Sequence, residues 1–141
     1  MTAKTFLSQA QRVGLKLESM NSQMRSLRDA AENITQALSD MPRSPTRNIS
    51  KTEDIMVRVL DLERDMNNLF DKLADIHRVI NAVDDPLRKA ALVKRYIDGD
   101  VWKSISVDLG ISVRRVHQIH EAALAEVELL MADYTQLHTI A

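Results

Sequence analysis

A group of polar side chains between residues 114 and 118 has the chemistry needed to recognise nucleobases. The group comprises Arg114, Arg115, His117 and Gln118. An arginine guanidinium can donate two parallel hydrogen bonds to guanine, and a glutamine amide can pair with adenine. We expect the four residues on the exposed side of a helix near its start, because the apolar Val116 and Ile119 take the inward side.

The residues around this group are typical of a helix-turn-helix. A short helix is predicted from Val101 to Leu109 and a longer one from Val113 to about Leu137, with Asp100 and Ser112 as their N-caps. Gly110 can adopt the left-handed backbone conformation that a tight turn requires. In such a motif the second helix enters the major groove of DNA. The apolar positions expected to hold the two helices together are Trp102, Ile105, Leu109, Val116 and Ile119.

Other side chains near the turn are assigned by their residue type. Lys94, Arg95 and Lys103 are expected to neutralise nearby backbone phosphates, and Ser112 lies where a helix N-terminus favours a phosphate. We expect Trp102 to be a core anchor rather than a base-stacking group, and His120 to lie at the boundary of the core. The predicted DNA-binding set is therefore Arg114, Arg115, His117, Gln118, Ser112, Lys103 and Arg95.

Two heptad patterns precede this region. Apolar residues recur at alternating steps of four and three from Phe6 to Met41, and again from Ile55 to Val83. The prolines Pro42 and Pro45 interrupt the first helix, and Ser50 to Glu53 has the pattern of a capping box at the start of the second. The similar lengths of the two helices favour an antiparallel hairpin, although a parallel dimer through either helix would satisfy the same pattern.

The sequence therefore predicts an all-α fold. Residues 1–83 are expected to form a long helical hairpin that resembles a coiled coil, with a linker at about 40–51. Residues 84–141 are expected to form a helix-turn-helix domain with an extended last helix. Asp85 and Pro86 predict the start of its first helix, because a carboxylate suits an N-cap and proline suits the first helical turn.

Composition excludes several classes of protein. The chain has no cysteine, which excludes a disulfide framework and a thiolate zinc site. No apolar run approaches the roughly 20 residues that span a bilayer, so we expect no membrane association and a cytoplasmic location in a bacterial host cell. His117 and His120 stand one helical turn apart, but His77 and His138 lie in separate helices, so no metal site is predicted. No nucleophile and base can be paired, and we expect neither an enzyme nor a cofactor.

Net charge limits how the chain can bind DNA. The whole chain carries a formal charge of −1, and segment 84–123 carries seven basic and six acidic residues, a balance of +1. Such a balance gives weak electrostatic attraction to phosphates. We therefore expect a homodimer, held by the N-terminal hairpin or by the last helix, or a partner such as host RNA polymerase that supplies further contacts.

The C-terminal third resembles region 4 of bacterial sigma-70 factors. The similar segments are Leu92 to Tyr96, Trp102 to Ile105 and Ser112 to Leu124. This resemblance implies a DNA-directed helix-turn-helix. The chain departs from the pattern at Val113-Arg114, where sigma factors tend to have Arg-Glu, and at His117, where they favour arginine. The target of this chain therefore need not be a standard −35 element.

The whole chain is similar to a family of prophage-encoded proteins of low-GC Gram-positive bacteria. These proteins join a coiled N-terminal half to a tail similar to sigma region 4, and Asn33 to Pro42 resembles their first linker. The resemblance implies a phage transcription regulator, akin to late-gene activators. Two alternatives stay open: a DNA-packaging adaptor such as a small terminase subunit, and an inhibitor of sigma factor or polymerase that binds only protein.

Overall fold

The computed structural model describes the backbone of residues 1–40 and 45–140, and the side chains of residues 1–36 and 50–133. Within these ranges every regular element is a helix, which confirms the predicted all-α fold. The helices are α1 (Ala3–Asp40), α2 (Pro45–Asn81), α3 (Pro86–Leu92), α4 (Trp102–Leu109) and α5 (Val113–Ile140), and a π-helical turn (Val93–Ile97) extends α3. Among the described residues, no helix is both long enough and apolar enough to cross a bilayer.

The chain divides into two compact units, which we call the hairpin unit and the helix-turn-helix unit. The hairpin unit is residues 14–71, and the helix-turn-helix unit joins residues 1–13 to the chain from residue 72 onward. These units do not coincide with the predicted division at residues 83 and 84. The difference arises because the first turns of α1 and the last turns of α2 pack into the same core as α3 and α5.

The core of the helix-turn-helix unit is built from four helices and the π-helical turn. Leu7, Ile76 and Val127 each have no exposed surface, although they come from α1, α2 and α5. Burial of side chains of this size stabilises each helix against the others by roughly 1.5–3 kcal/mol per side chain. The buried members of this core are Ala3, Leu7, Ala10, Ile76, Val79, Ile80, Val83, Leu92, Tyr96, Ala123 and Val127.

In the hairpin unit, the predicted heptad positions are the less exposed ones. Met24 is buried, and the other heptad residues of the unit are partly buried, whereas most positions between them are exposed. This confirms the phase of both patterns where side chains are described. Side chains of 19–27 on α1 and 58–65 on α2 line an open groove of about 600 Å³. The heptad residues Leu38 and Met41 lie outside the described side chains.

Helix starts confirm the predicted caps Asp85 and Ser112 and correct those at Ser50 and Asp100. Asp85 accepts hydrogen bonds from the backbone N–H groups of Leu87 (2.8 Å) and Arg88 (3.4 Å), as predicted. The prediction that α2 starts at the capping box of Ser50 was wrong, since α2 begins at Pro45. Proline suits the first turn of a helix, because the N–H that it lacks would have no partner there. The predicted linker at 40–51 is therefore shorter.

Asp100 is not the N-cap of α4. Val101 takes that position in an extended conformation, without a side-chain hydrogen bond to the helix. The backbone carbonyl of Asp100 instead accepts a hydrogen bond of 3.0 Å from Nη1 of Arg95. The preceding Gly99 has a φ of 75°, and a Cβ at this position would lie 2.6 Å from Nε2 of Gln11. The loop before α4 is therefore shaped by contacts to Arg95 and α1.

We predict that Leu7→Ala destabilises the folded chain by about 2–5 kcal/mol, the usual cost of truncating a fully buried leucine. Leu15→Ala is the matched control, because Leu15 is on the same helix but 67% exposed. It should change the free energy of unfolding by no more than about 0.5 kcal/mol. Urea denaturation followed by far-ultraviolet circular dichroism measures both values. Equal stability of the two variants would contradict the burial of α1 in this core.

Candidate nucleic-acid interface

The turn between α4 and α5 has the hydrogen bonds of a helix-turn-helix. Gly110 has a φ of 69°, as predicted for the left-handed position of the turn. The side chain of Ser106 donates to the carbonyl of Ile111, which fixes the residue after the glycine. Ser112 caps α5, because its Oγ accepts a hydrogen bond of 3.1 Å from the backbone N–H of Arg115.

At the start of α5, the buried and the exposed residues lie on different sides of the helix. Val116 has no exposed surface and Ile119 is 5% exposed, so these two side chains face the rest of the unit. All four side chains predicted to contact bases are exposed, namely Arg114, Arg115, His117 and Gln118. We call this exposed group the reading face. A helix start that presents guanidinium, imidazole and amide groups has the donors and acceptors that base edges require.

Two members of the reading face bond to each other. Nη1 of Arg115 donates to Oε1 of Gln118 at 3.3 Å along the helix. Both side chains also line a small cleft of about 100 Å³ that includes Asp85 and Arg88 at the start of α3. Arg115 and Gln118 are thus oriented by their neighbours, whereas Arg114 has no salt bridge to a described carboxylate. Arg114 is therefore the member best placed to extend toward a ligand.

Trp102 connects the reading face to the interior. Its ring lies 4.6 Å from the ring of His117 and 4.7 Å from that of His120, measured between centroids. The guanidinium of Arg95 stands over the same ring at 4.2 Å. A tryptophan held on several sides in this way packs against its neighbours, and it is partly buried. Its predicted role as a packing residue agrees with these contacts.

His120 is not the boundary residue that the sequence predicts. It is 6% exposed, and its Nε2 lies 2.7 Å from the hydroxyl oxygen of Tyr96, within hydrogen-bond distance. Burial lowers the pKa of His120, and the positive charge of Arg95 adds to this, while the carboxylate of Glu121 opposes it. Burial also raises the pKa of Tyr96. The heptad position of His120 on α5 was the sequence signal that could have placed it inside.

The predicted phosphate contacts differ in what they already bind. Lys103 is exposed, and the structure gives it no salt bridge within the described residues. Arg95 is held by Asp100 and Trp102 and is only partly exposed. Nζ of Lys94 forms a salt bridge of 3.3 Å with Asp108, which neutralises a lysine close to α4. Lys103 is thus the predicted phosphate contact with the fewest competing partners.

The structure also brings to this region residues that sequence patterns did not single out. Nε2 of Gln11 donates to the backbone carbonyls of Tyr96 (3.4 Å) and Ile97 (3.5 Å). Oε1 of Glu128 accepts a hydrogen bond of 2.8 Å from the backbone N–H of Ala3. No motif could have revealed these contacts, because they join residues more than 80 positions apart.

Within the described side chains, no group of three or more histidine, aspartate or glutamate residues is arranged to hold a metal ion. Comparison of the chain with models of protein families, with curated proteins and with solved structures found no match.

We predict that acid destabilises the chain through His120. Because burial favours the neutral imidazole, the unfolded chain takes up more protons below about pH 6.5, the ordinary pKa of histidine. The contribution of His120 to the free energy of unfolding should therefore be present above pH 6.5 and be lost as pH falls below that value. His120→Gln should flatten this decrease, and His77→Gln, at an exposed position on α2, should keep it. A parallel pH profile for wild type and His120→Gln would contradict this assignment.

Proposed function

We propose that this chain is a transcription regulator that binds double-stranded DNA with the start of α5. The observation that supports this most directly is the reading face, exposed on a helix whose opposite side is fully buried against the unit. A helix held this firmly can enter the major groove without losing its own packing. The resemblance to sigma-70 region 4 supports the same proposal, and a regulator encoded by a prophage and acting in the bacterial cytoplasm fits it.

The charges of the unit support a second source of affinity. Two of its basic residues, Arg88 and Lys94, form salt bridges with Glu126 and Asp108, and so contribute little attraction to phosphates. A monomer would therefore have few phosphate contacts and a weak dependence of affinity on salt. We propose that a second copy of the chain in a homodimer, or RNA polymerase bound beside it, supplies the remaining affinity.

The experiment begins with selection of duplexes from fragmented genomic DNA by the full-length chain. We predict that Arg114→Ala weakens binding to the selected site by about 1–3 kcal/mol and relaxes the preference at one base pair. The physical reason is the loss of hydrogen bonds to a base edge. Fluorescence anisotropy with a labelled duplex measures the affinity, and a set of single-base variants of the site measures the preference.

Arg28→Ala is the matched control, because it removes the same charge from an exposed position on α1 in the hairpin unit. It should bind as the wild type does. Failure of the folded wild-type chain to select or bind any duplex would overturn the proposal. The mass of the wild-type protein in solution distinguishes a regulator from a packaging adaptor. A monomer or dimer fits a regulator, whereas a ring of eight or more subunits would indicate a packaging adaptor. Capture of a sigma factor without DNA binding would indicate an inhibitor.

A further inference from the structure

A basic cleft lies where the start of α1 meets the loop before α4. It has a volume of about 340 Å³, and its walls include Lys4, Ser8, Gln11, Arg95, Gly99 and Trp102. Two of these side chains are cationic, two are neutral hydrogen-bonding groups, and none of the described residues that line the cleft is acidic. A second cleft of similar size in the same unit includes both Asp84 and Asp98 in its wall. The first cleft therefore has a positive lining that suits an anion, whereas in the second cleft Lys89 and Lys94 are balanced by the two aspartates.

The cations of this cleft keep donors for a ligand. Neither Lys4 nor Arg95 forms a salt bridge to a carboxylate of the described residues. Arg95 uses Nη1 for the carbonyl of Asp100, and its plane is fixed over the ring of Trp102. A guanidinium has five N–H donors, so an oriented arginine of this kind still has donors for the oxygens of a phosphate.

The position of the cleft indicates which phosphate it would bind. Trp102 is the first residue of α4, and its ring forms one wall of the cleft while contacting His117 of the reading face. In a helix-turn-helix, the first helix crosses the DNA backbone while the second lies in the major groove. A ligand in this cleft would therefore lie beside a duplex that is bound to the reading face.

We infer that Lys4 at the start of α1, together with Arg95, binds a backbone phosphate of the DNA that α5 reads. This inference rests on the proposed function and extends the DNA-binding surface to the opposite end of the chain. Gly99 keeps the cleft open, because a side chain there would meet the amide of Gln11. The contact is electrostatic and does not read sequence, so it adds affinity equally on every duplex.

The test compares Lys4→Gln with Lys4→Arg and with Lys89→Gln in the full-length chain. Lys89 lines the second cleft, together with Asp84 and Asp98. Lys89→Gln is therefore the control, because it removes the same charge from the same unit at a site unsuited to phosphate. Lys4→Gln should weaken binding about three- to tenfold at low salt, both on the selected site and on an unrelated duplex. It should also reduce the slope of log affinity against log salt by about 0.9, the value for one phosphate contact. Lys4→Arg and Lys89→Gln should bind as the wild type does.

Trp102 provides a second readout, because it is the only tryptophan in the chain. Duplex binding should change its fluorescence in the wild type, and the change should be smaller in Lys4→Gln at equal saturation. If Lys4→Gln keeps both the affinity and the salt slope of the wild type while Arg114→Ala loses affinity, the inference is overturned and the proposed function stands. If the folded wild type binds no duplex, the proposed function itself fails. A third outcome is that Lys4→Gln loses binding of inorganic phosphate but keeps the wild-type affinity for the duplex. This result would assign the cleft to a free anion and would also overturn the inference.

Discussion

The helix-turn-helix depends on one packing arrangement, in which Leu7 at the start of α1 is enclosed by the end of α2 and by α5. Leu7, Ile76 and Val127 are fully buried together, although they lie at positions far apart in the chain. A helix-turn-helix made of α4 and α5 alone is a segment of about 40 residues, which buries too little apolar surface to fold by itself. The segments 1–13 and 72–83 supply further apolar side chains, which are buried in one core with residues of α3 and α5.

A chain of contacts extends from this core to the exposed start of α5. Tyr96 is in the core and reaches the buried His120, whose ring meets Trp102 edge-on, and Trp102 in turn contacts the exposed His117. Each ring position is set by the one behind it, because packed aromatic rings leave little room for alternative rotamers. The ring of His117 on the reading face is therefore connected to the buried ring of His120 through Trp102.

The net charge of −1 for the whole chain does not describe its local surfaces. Its charges are distributed unevenly, since Arg88 and Lys94 are paired with carboxylates, while Lys4, Lys103 and Arg114 have no such partner among the described residues. Local charge rather than total charge determines attraction to a phosphate at distances within the Debye length of roughly 8–10 Å. The phosphate contact proposed for Lys4 would add a positive charge from outside the C-terminal segment.

Local patterns in the sequence determined the helices, the turn at Gly110, the cap at Ser112 and the exposed side of α5. These features depend on backbone propensity and on the spacing of apolar residues over one or two turns. Both are properties of residues that are close together in the sequence. Only the tertiary structure decided that Leu7 and Gln11 belong to the helix-turn-helix unit, that His120 is buried against Tyr96, and that Lys4 and Arg95 share a cleft. The hydrogen bond from Gln11 to the carbonyl of Tyr96, for example, joins positions 85 residues apart. Heptad patterns require a buried partner without specifying which one, so only the packed core could identify it.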